Sequence, residues 1–212
     1  IDCLVRAFCV PAVDNIVICP PTFAMYAQSA VLQGIESRLA PLDDSFDLDV
    51  KKVIQESDIN TKIIFICSPN NPTGNSMSRD RIIALCEALA GRALVVVDET
   101  YIDYAAAPSL IDAMETHANL VILRTLSKSH AAAGVRLGAA VARQDVTALM
   151  GKVLAPYPIS QPVIQAAMAI MSPDNLKRLA AKREDILGRR NLFANALRTL
   201  DDVISVFPSD AN

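Results

Sequence analysis

Three short strings in this chain gather residue types that can do chemistry. The first is Ser68-Pro69-Asn70-Asn71-Pro72-Thr73-Gly74. Two prolines and a glycine fix a rigid turn, and two Asn side chains then offer amide donors and acceptors at a defined place. In the second, Val95-Val96-Val97-Asp98-Glu99-Thr100-Tyr101, a carboxylate closes an apolar run and a phenol follows three residues on. Such an Asp can be a helix cap satisfied by nearby donors. Beneath a pyridine ring it can instead hold the ring nitrogen protonated, which makes the ring a stronger electron sink. The third string is Arg124-Thr125-Leu126-Ser127-Lys128-Ser129-His130, continuing through Arg136 to Gly138. Partial burial of Lys128 among small residues would lower its pKa and favour the neutral amine that attacks an aldehyde. The hydroxyls of Thr125 and Ser127 and the planar donor fork of Arg136 could bind a phosphate. Taken singly, each string has a plainer reading: an ordinary strand-to-helix loop, a capping Asp, an exposed Lys at a helix start.

The elements that must position these strings follow from hydrophobic patterning. Short apolar runs at Asn15–Cys19, Ile35–Ala40, Lys62–Cys67, Ala93–Asp98, Leu120–Thr125 and Leu137–Ala142 are expected strands. Four of them are nearly continuous aliphatic runs, as suits strands covered on both faces. Helices are expected between them at Thr22–Gly34, Leu48–Glu56, Ser78–Ala90, Gln144–Lys152 and Gln161–Met171. Ser78 is the expected N-cap of the third, and Gly34 and Gly91 are stop signals. Strands alternating with helices imply an α/β fold with a mostly parallel sheet, in which ligand sites form at the C-terminal ends of strands. All three strings lie at such ends. From Ser172-Pro173-Asp174 a long amphipathic pattern runs to about Leu200, with Ser172 as the expected N-cap. It would extend roughly 40 Å. The pattern divides the chain into a domain over residues 1–172 and a connector over 173–212 that opens a second, smaller domain. The last residues, Phe207 to Asn212, read as a turn into another strand. Because Ile1 is no initiator and its neighbours read as mid-helix, an internal piece of a longer chain is expected.

Composition excludes several classes. Of 212 residues, 52% are hydrophobic and 20% charged, which suits a folded domain with a large core. A net charge of −3 offers no footprint for nucleic acid or an anionic membrane. No stretch approaches the roughly 18 apolar residues of a membrane span. Cys3, Cys9, Cys19, Cys67 and Cys86 form no C-x-x-C pair and sit in or beside apolar runs. They imply a reducing, cytoplasmic compartment, and no metal site is expected. Neither G-x-G-x-x-G nor G-x-x-x-x-G-K-[ST] occurs, which disfavours a nucleotide-binding domain. A non-catalytic cofactor-binding or assembly module remains an alternative.

As an ordered set, Asn71, Asp98, Tyr101, Lys128 and Arg136 resemble the pyridoxal 5′-phosphate (PLP) site of the class I/II aminotransferases, which have fold type I. The strings "CPPTFAMY", "CSPNNPTG", "VVVDETYIDYA", "LRTLSKSHAAAGVRLG" and "KVLAPYPIS" look closer still to the histidinol-phosphate aminotransferases. This resemblance covers essentially the whole chain. It implies that Lys128 forms the Schiff base with PLP and then shuttles a proton, that Asp98 pairs with the pyridine nitrogen, and that Tyr101 and Asn71 hydrogen-bond the ring O3′. It further implies that Arg136, Ser127 and Thr125 bind the phosphate and that Phe23 stacks on the ring. Relatives often carry Tyr where Phe23 stands; Phe keeps the stacking face and lacks the hydroxyl. The implied partners are an amino donor and a 2-oxo acid, and the implied assembly is a homodimer in which the Tyr157 loop approaches the partner's site. His130 matches no required position. The implied reaction takes histidinol phosphate and 2-oxoglutarate to imidazole-acetol phosphate and glutamate. An aromatic amino-acid or related aminotransferase is the alternative. The family's glycine-containing phosphate loop and substrate-clamping arginines fall outside these residues, so the piece alone is expected to bind PLP weakly and transaminate little.

Overall fold

The apolar runs become a single six-stranded sheet in the computed structural model, which describes residues 1–212. The strands are β1 (Asn15–Ile18), β2 (Glu36–Leu39), β3 (Thr61–Cys67), β4 (Leu94–Asp98), β5 (Leu120–Thr125) and β6 (Gly138–Val141). Their spatial order is β2-β1-β3-β4-β5-β6. The first five run parallel, and β6 returns antiparallel to β5 with Thr125 opposite Gly138.

Seven α-helices accompany them: α1 (Asp2–Phe8), α2 (Met25–Leu32), α3 (Val50–Glu56), α4 (Arg79–Ala88), α5 (Gln144–Val153), α6 (Gln161–Ile170) and α7 (Pro173–Leu197). Alternation along the central strands sends successive side chains to opposite faces. Ile64, Ile66, Val95 and Val97 pack with Val53 of α3 and with Ile82 and Leu85 of α4. Ile63, Phe65, Val96 and Val121 pack on the other face with Leu4 and Val5 of α1, Tyr26 and Ala30 of α2, and Val146 of α5. The sheet is therefore covered on both sides, which explains why its central strands carry almost no polar residue. No helix is long and apolar enough to cross a membrane.

Most boundaries fall within one or two residues of expectation. Helix α2 begins three residues later than Thr22, because the chain before it is held as a loop: the Thr22 hydroxyl donates to Asn70 Oδ1 at 3.0 Å. Ser78 and Ser172 occupy the N-cap positions of α4 and α7, but neither side chain makes a capping hydrogen bond. Residues 102–104, 110–115 and 133–135 form short 3₁₀ turns that hydrophobic periodicity does not reveal. The stretch from Phe207 to Ala211 enters no strand. It folds back instead, with the N–H groups of Asp210 and Ala211 both donating to Gly74 O, at 2.7 and 3.1 Å. Phe207 packs edge-on against Phe46 with ring centroids 5.1 Å apart.

Candidate active site

Cys67, Asp98 and Thr125 are the last residues of the adjacent parallel strands β3, β4 and β5. Beyond them opens a cavity of about 460 Å³. Its lining includes all eight residues singled out in the sequence: Phe23, Asn71, Asp98, Tyr101, Thr125, Ser127, Lys128 and Arg136. They span more than a hundred positions of chain, and the parallel sheet gathers them because every βα connection starts at this end. A larger cavity, about 790 Å³, lies at the opposite ends of the strands near Lys62, Leu94 and Asn119. It holds none of the three strings.

Asp98 forms the floor of the site. It is 5% exposed, and no cationic side chain pairs with it. Its Oδ1 accepts from the Thr100 N–H at 3.1 Å and the Thr100 hydroxyl at 2.6 Å, while Oδ2 accepts from the Tyr26 hydroxyl at 3.0 Å. Asp98 caps no helix; the Thr100 N–H and hydroxyl close a local turn on one of its oxygens. A buried carboxylate with three neutral donors and no countercharge is a place that favours a cation or a protonated ring nitrogen. Beside it, burial first and the charge of Asp98 second push the Cys67 thiol up to about 12, so it stays protonated.

Lys128 stands at the rim. The sequence suggested partial burial, but the side chain is exposed, with Nζ 5.4 Å from the Tyr101 ring centroid. The burial expected around this side chain is therefore absent. The reason is local: Lys128 sits on a turn that leaves β5, and of the small residues after it Ala131, Ala133 and Gly134 are themselves exposed and leave it uncovered. That turn is braced from behind. Arg124 pairs with the buried Glu99 at 3.1 Å and with Asp103 at 2.8 Å, and the Ser129 hydroxyl donates to Asp103. His130 lies 3.9 Å from the same carboxylate.

Asn70 and Asn71, indistinguishable in sequence, have separate tasks. Asn70 is buried and bolts the loop down, donating to Pro21 O at 2.8 Å and to the Thr73 hydroxyl at 2.7 Å. Asn71 is left half-buried and facing the cavity. On the far side the hydroxyls of Thr125 and Ser127 lie 2.9 Å apart and bond each other. Arg136 is exposed in a left-handed conformation (φ 56°), with Nη1 donating to Ala133 O at 2.8 Å and its other N–H groups uncommitted. Phe23 is half-buried and edge-on to Tyr26, centroids 5.7 Å apart. Tyr157 is 96% exposed and does not line the cavity.

Tyr26 and Thr100 were not singled out in the sequence. Thr100 was legible in principle, since a hydroxyl two residues after an Asp is a common turn partner. Tyr26 was not, because it reads as one more apolar position of α2.

The whole chain, residues 1–212, matches the family model described as aminotransferase class I and II. It is similar to the histidinol-phosphate aminotransferase 1 of Haemophilus influenzae, 39% identical over all 212 residues and 58% of that protein. It is similar also to the histidinol-phosphate aminotransferase of Yersinia enterocolitica, 42% identical over the whole chain and 56% of the relative. The chain thus spans somewhat over half the length of these relatives. The crystal structure of the histidinol-phosphate aminotransferase from Clostridium acetobutylicum superimposes with a TM-score of 0.85 at 22% identity, covering all of this chain and 62% of that one. By fold and by family, this chain belongs to the class I and II aminotransferases.

Proposed function

We propose that this chain carries the cofactor half of a PLP-dependent aminotransferase that uses histidinol phosphate as amino donor and 2-oxoglutarate as acceptor. One observation carries the reading: a buried carboxylate without a countercharge, a lysine at the rim, an arginine and two hydroxyls surround a single cavity. The names of the relatives, at 39–42% identity, support the choice of donor.

The residues present fit the cofactor. Asp98 offers the negative charge that a pyridine nitrogen needs to remain protonated. Arg136, Ser127 and Thr125 offer the donors that a phosphate needs. Asn71 and Tyr101 offer donors for a ring oxygen, and Phe23 a face for stacking. Lys128 Nζ is the amine that would hold the cofactor through its aldehyde and would then carry a proton from the substrate's Cα. When bound, PLP supplies the protonated ring that takes up the electron pair released as that Cα–H bond breaks. In this reading residues 1–172 are the cofactor domain and 173–212 lead into a second domain. The working unit is a homodimer with the exposed Tyr157 loop directed at the partner. The five free thiols support a reducing compartment such as the cytoplasm.

The test is reconstitution of the full-length protein with PLP. A visible absorbance that borohydride bleaches is expected, and Lys128→Ala should abolish it. If Lys128→Ala keeps a borohydride-sensitive band, another amine holds the cofactor. The ratio of kcat/KM for histidinol phosphate to that for phenylalanine decides the donor, and a large preference for phenylalanine would remove the histidinol phosphate assignment. Sedimentation of the same preparation at the mass of one subunit would remove the dimer.

A further inference from the structure

Tyr26 is a fully buried side chain that bonds to the floor of the cavity without lining it. It is 0% exposed and lies 72 residues before Asp98 in the chain, yet its hydroxyl donates to Asp98 Oδ2 at 3.0 Å. Its ring stacks on Phe65, with centroids 4.8 Å apart and planes within 4°. Burial first, then the charge of Asp98, pushes this phenol well above its ordinary range. It therefore remains a donor at any working pH. Two neighbours are titratable or polar, the Cys67 thiol and Thr100, and the thiol is likewise held protonated.

The placement has a structural logic. Tyr26 lies in the first turn of α2, and Phe23 lies in the loop just before that helix, with the Tyr26 N–H donating to Phe23 O at 3.3 Å. Their rings meet edge-on, 5.7 Å between centroids and 85° between planes. The entry to α2 thus presents the Phe23 ring to the cavity and, through Tyr26, reaches the carboxylate. The two oxygens of Asp98 are fixed from opposite sides, Oδ1 by Thr100 within its own loop and Oδ2 by Tyr26 across the sheet. A carboxylate held at only one oxygen can pivot about its Cβ–Cγ bond, and one held at both cannot.

We propose that Tyr26 is a positioning residue, which fixes the Asp98 carboxylate in the orientation that receives the cofactor's ring nitrogen. This rests on the reading of Asp98 given above and extends it to a residue that touches neither cofactor nor substrate. The plain alternative is that Tyr26 only fills the core and its hydroxyl has found the nearest acceptor.

The two are separable by comparing PLP with 1-deaza-PLP, which has carbon in place of the ring nitrogen. Tyr26→Phe keeps the ring and its stacking on Phe65 and removes only the hydroxyl. In the full-length protein the dissociation constant of PLP should rise about tenfold, the scale of one hydrogen bond to a charged group. Binding of 1-deaza-PLP should be unchanged. At saturating PLP, kcat should fall while KM for the amino donor stays within about twofold, as for an interaction made at the reacting cofactor and not at the substrate. In an Asp98→Asn background Tyr26→Phe should add nothing. Equal losses toward both cofactors, or no loss toward either, would overturn the proposal and leave Tyr26 a core residue. If the unsubstituted protein does not discriminate PLP from 1-deaza-PLP and Asp98→Asn is silent, the role of Asp98 itself fails, a different result from the first two.

Discussion

Lys128 shows what residue types convey and what they withhold. Its neighbours in sequence suggested an amine sheltered among small side chains, and the structure leaves it exposed at a rim. Sequence strings disclose which chemistry a residue can do, while burial depends on what the fold brings from elsewhere. The same limit hid Tyr26 behind an apolar helix pattern and left Asn70 and Asn71 interchangeable until one was seen bonded to Pro21. The cysteines were better read. Each of the five was expected to act as a small hydrophobe; Cys3 is only half-buried, whereas the other four are buried, and burial pushes Cys9, Cys19, Cys67 and Cys86 up to about 12. A thiol with that affinity for its proton is about one part in ten thousand thiolate near pH 8, and only the thiolate alkylates. Iodoacetamide should therefore leave these four unlabelled in the folded protein, Cys67 included although it borders the cavity. Peptide mass spectrometry before and after denaturation checks this. Rapid labelling of Cys67 in the native state would mean that its thiol is neither buried nor held protonated as described.

At the scale of elements, strands and helices were legible because their patterns are dictated by a sheet covered on both faces. Loops were legible only in part. The Asn70–Gly74 turn was expected to be rigid from its own prolines and glycine, yet much of its support comes from the far end of the chain. Beyond the two bonds to Gly74 O, the Ser76 N–H donates to Asp210 Oδ2 at 2.9 Å, and Arg190 of α7 holds Ala211 O at 2.6 Å. No local pattern announces such a contact. Gly74 is where it is tightest. It has φ +78°, and a Cβ there would lie 2.6 Å from Ser209 Oγ and 3.1 Å from Ser209 Cβ. Gly91, at φ +69°, has nothing within 4 Å of the same position. The pair separates backbone strain from contact. Gly91→Ala should lose about 1–2 kcal/mol, the scale of forcing an L-residue into the left-handed region. Gly74→Ala should lose about 1–3 kcal/mol more, from overpacking against Ser209. Adding Ser209→Gly should recover most of that excess. Urea melts measure all three, and equal losses at the two glycines would show that the 207–211 segment does not bear on the turn.

For the whole molecule, the class of fold was legible and its topology was not. Alternating strands and helices imply a parallel sheet, but the order β2-β1-β3-β4-β5-β6 and the reversal of β6 depend on which helix crosses which face. The reversal matters because it brings Gly138 back beside Thr125 and sets Arg136 on the cavity wall. What the pattern of charges implies for the molecule is a one-sided response to acid. Hydrogen bonds from Arg81 and Ser45 hold Asp43 far below the usual carboxylate range, those from Asn15, Asn60 and Arg38 bring Asp58 down to about 2, and Arg79 lowers Asp112. Each is a carboxylate with a depressed folded value. Its stabilising effect is complete above the unfolded value near 4 and is lost as pH falls toward the folded one. His130 adds a loss of the same sign at higher pH. Burial, with Arg183 and Arg124 nearby, lowers its proton affinity against the opposing pull of Asp103. The unfolded chain therefore takes up that proton first, and stability declines as pH drops below about 6.5. Calorimetric melts across this range should show a shallow fall in Tm beginning near pH 6.5 and a steeper one below about 4. His130→Gln should remove the shallow limb. Arg81→Met should lower Tm at neutral pH and flatten the steep limb, so that its curve meets that of the unsubstituted protein in acid. A Tm that rises on acidification, or an Arg81→Met deficit that stays constant down to pH about 2, would show that these pairs do not set the acid response.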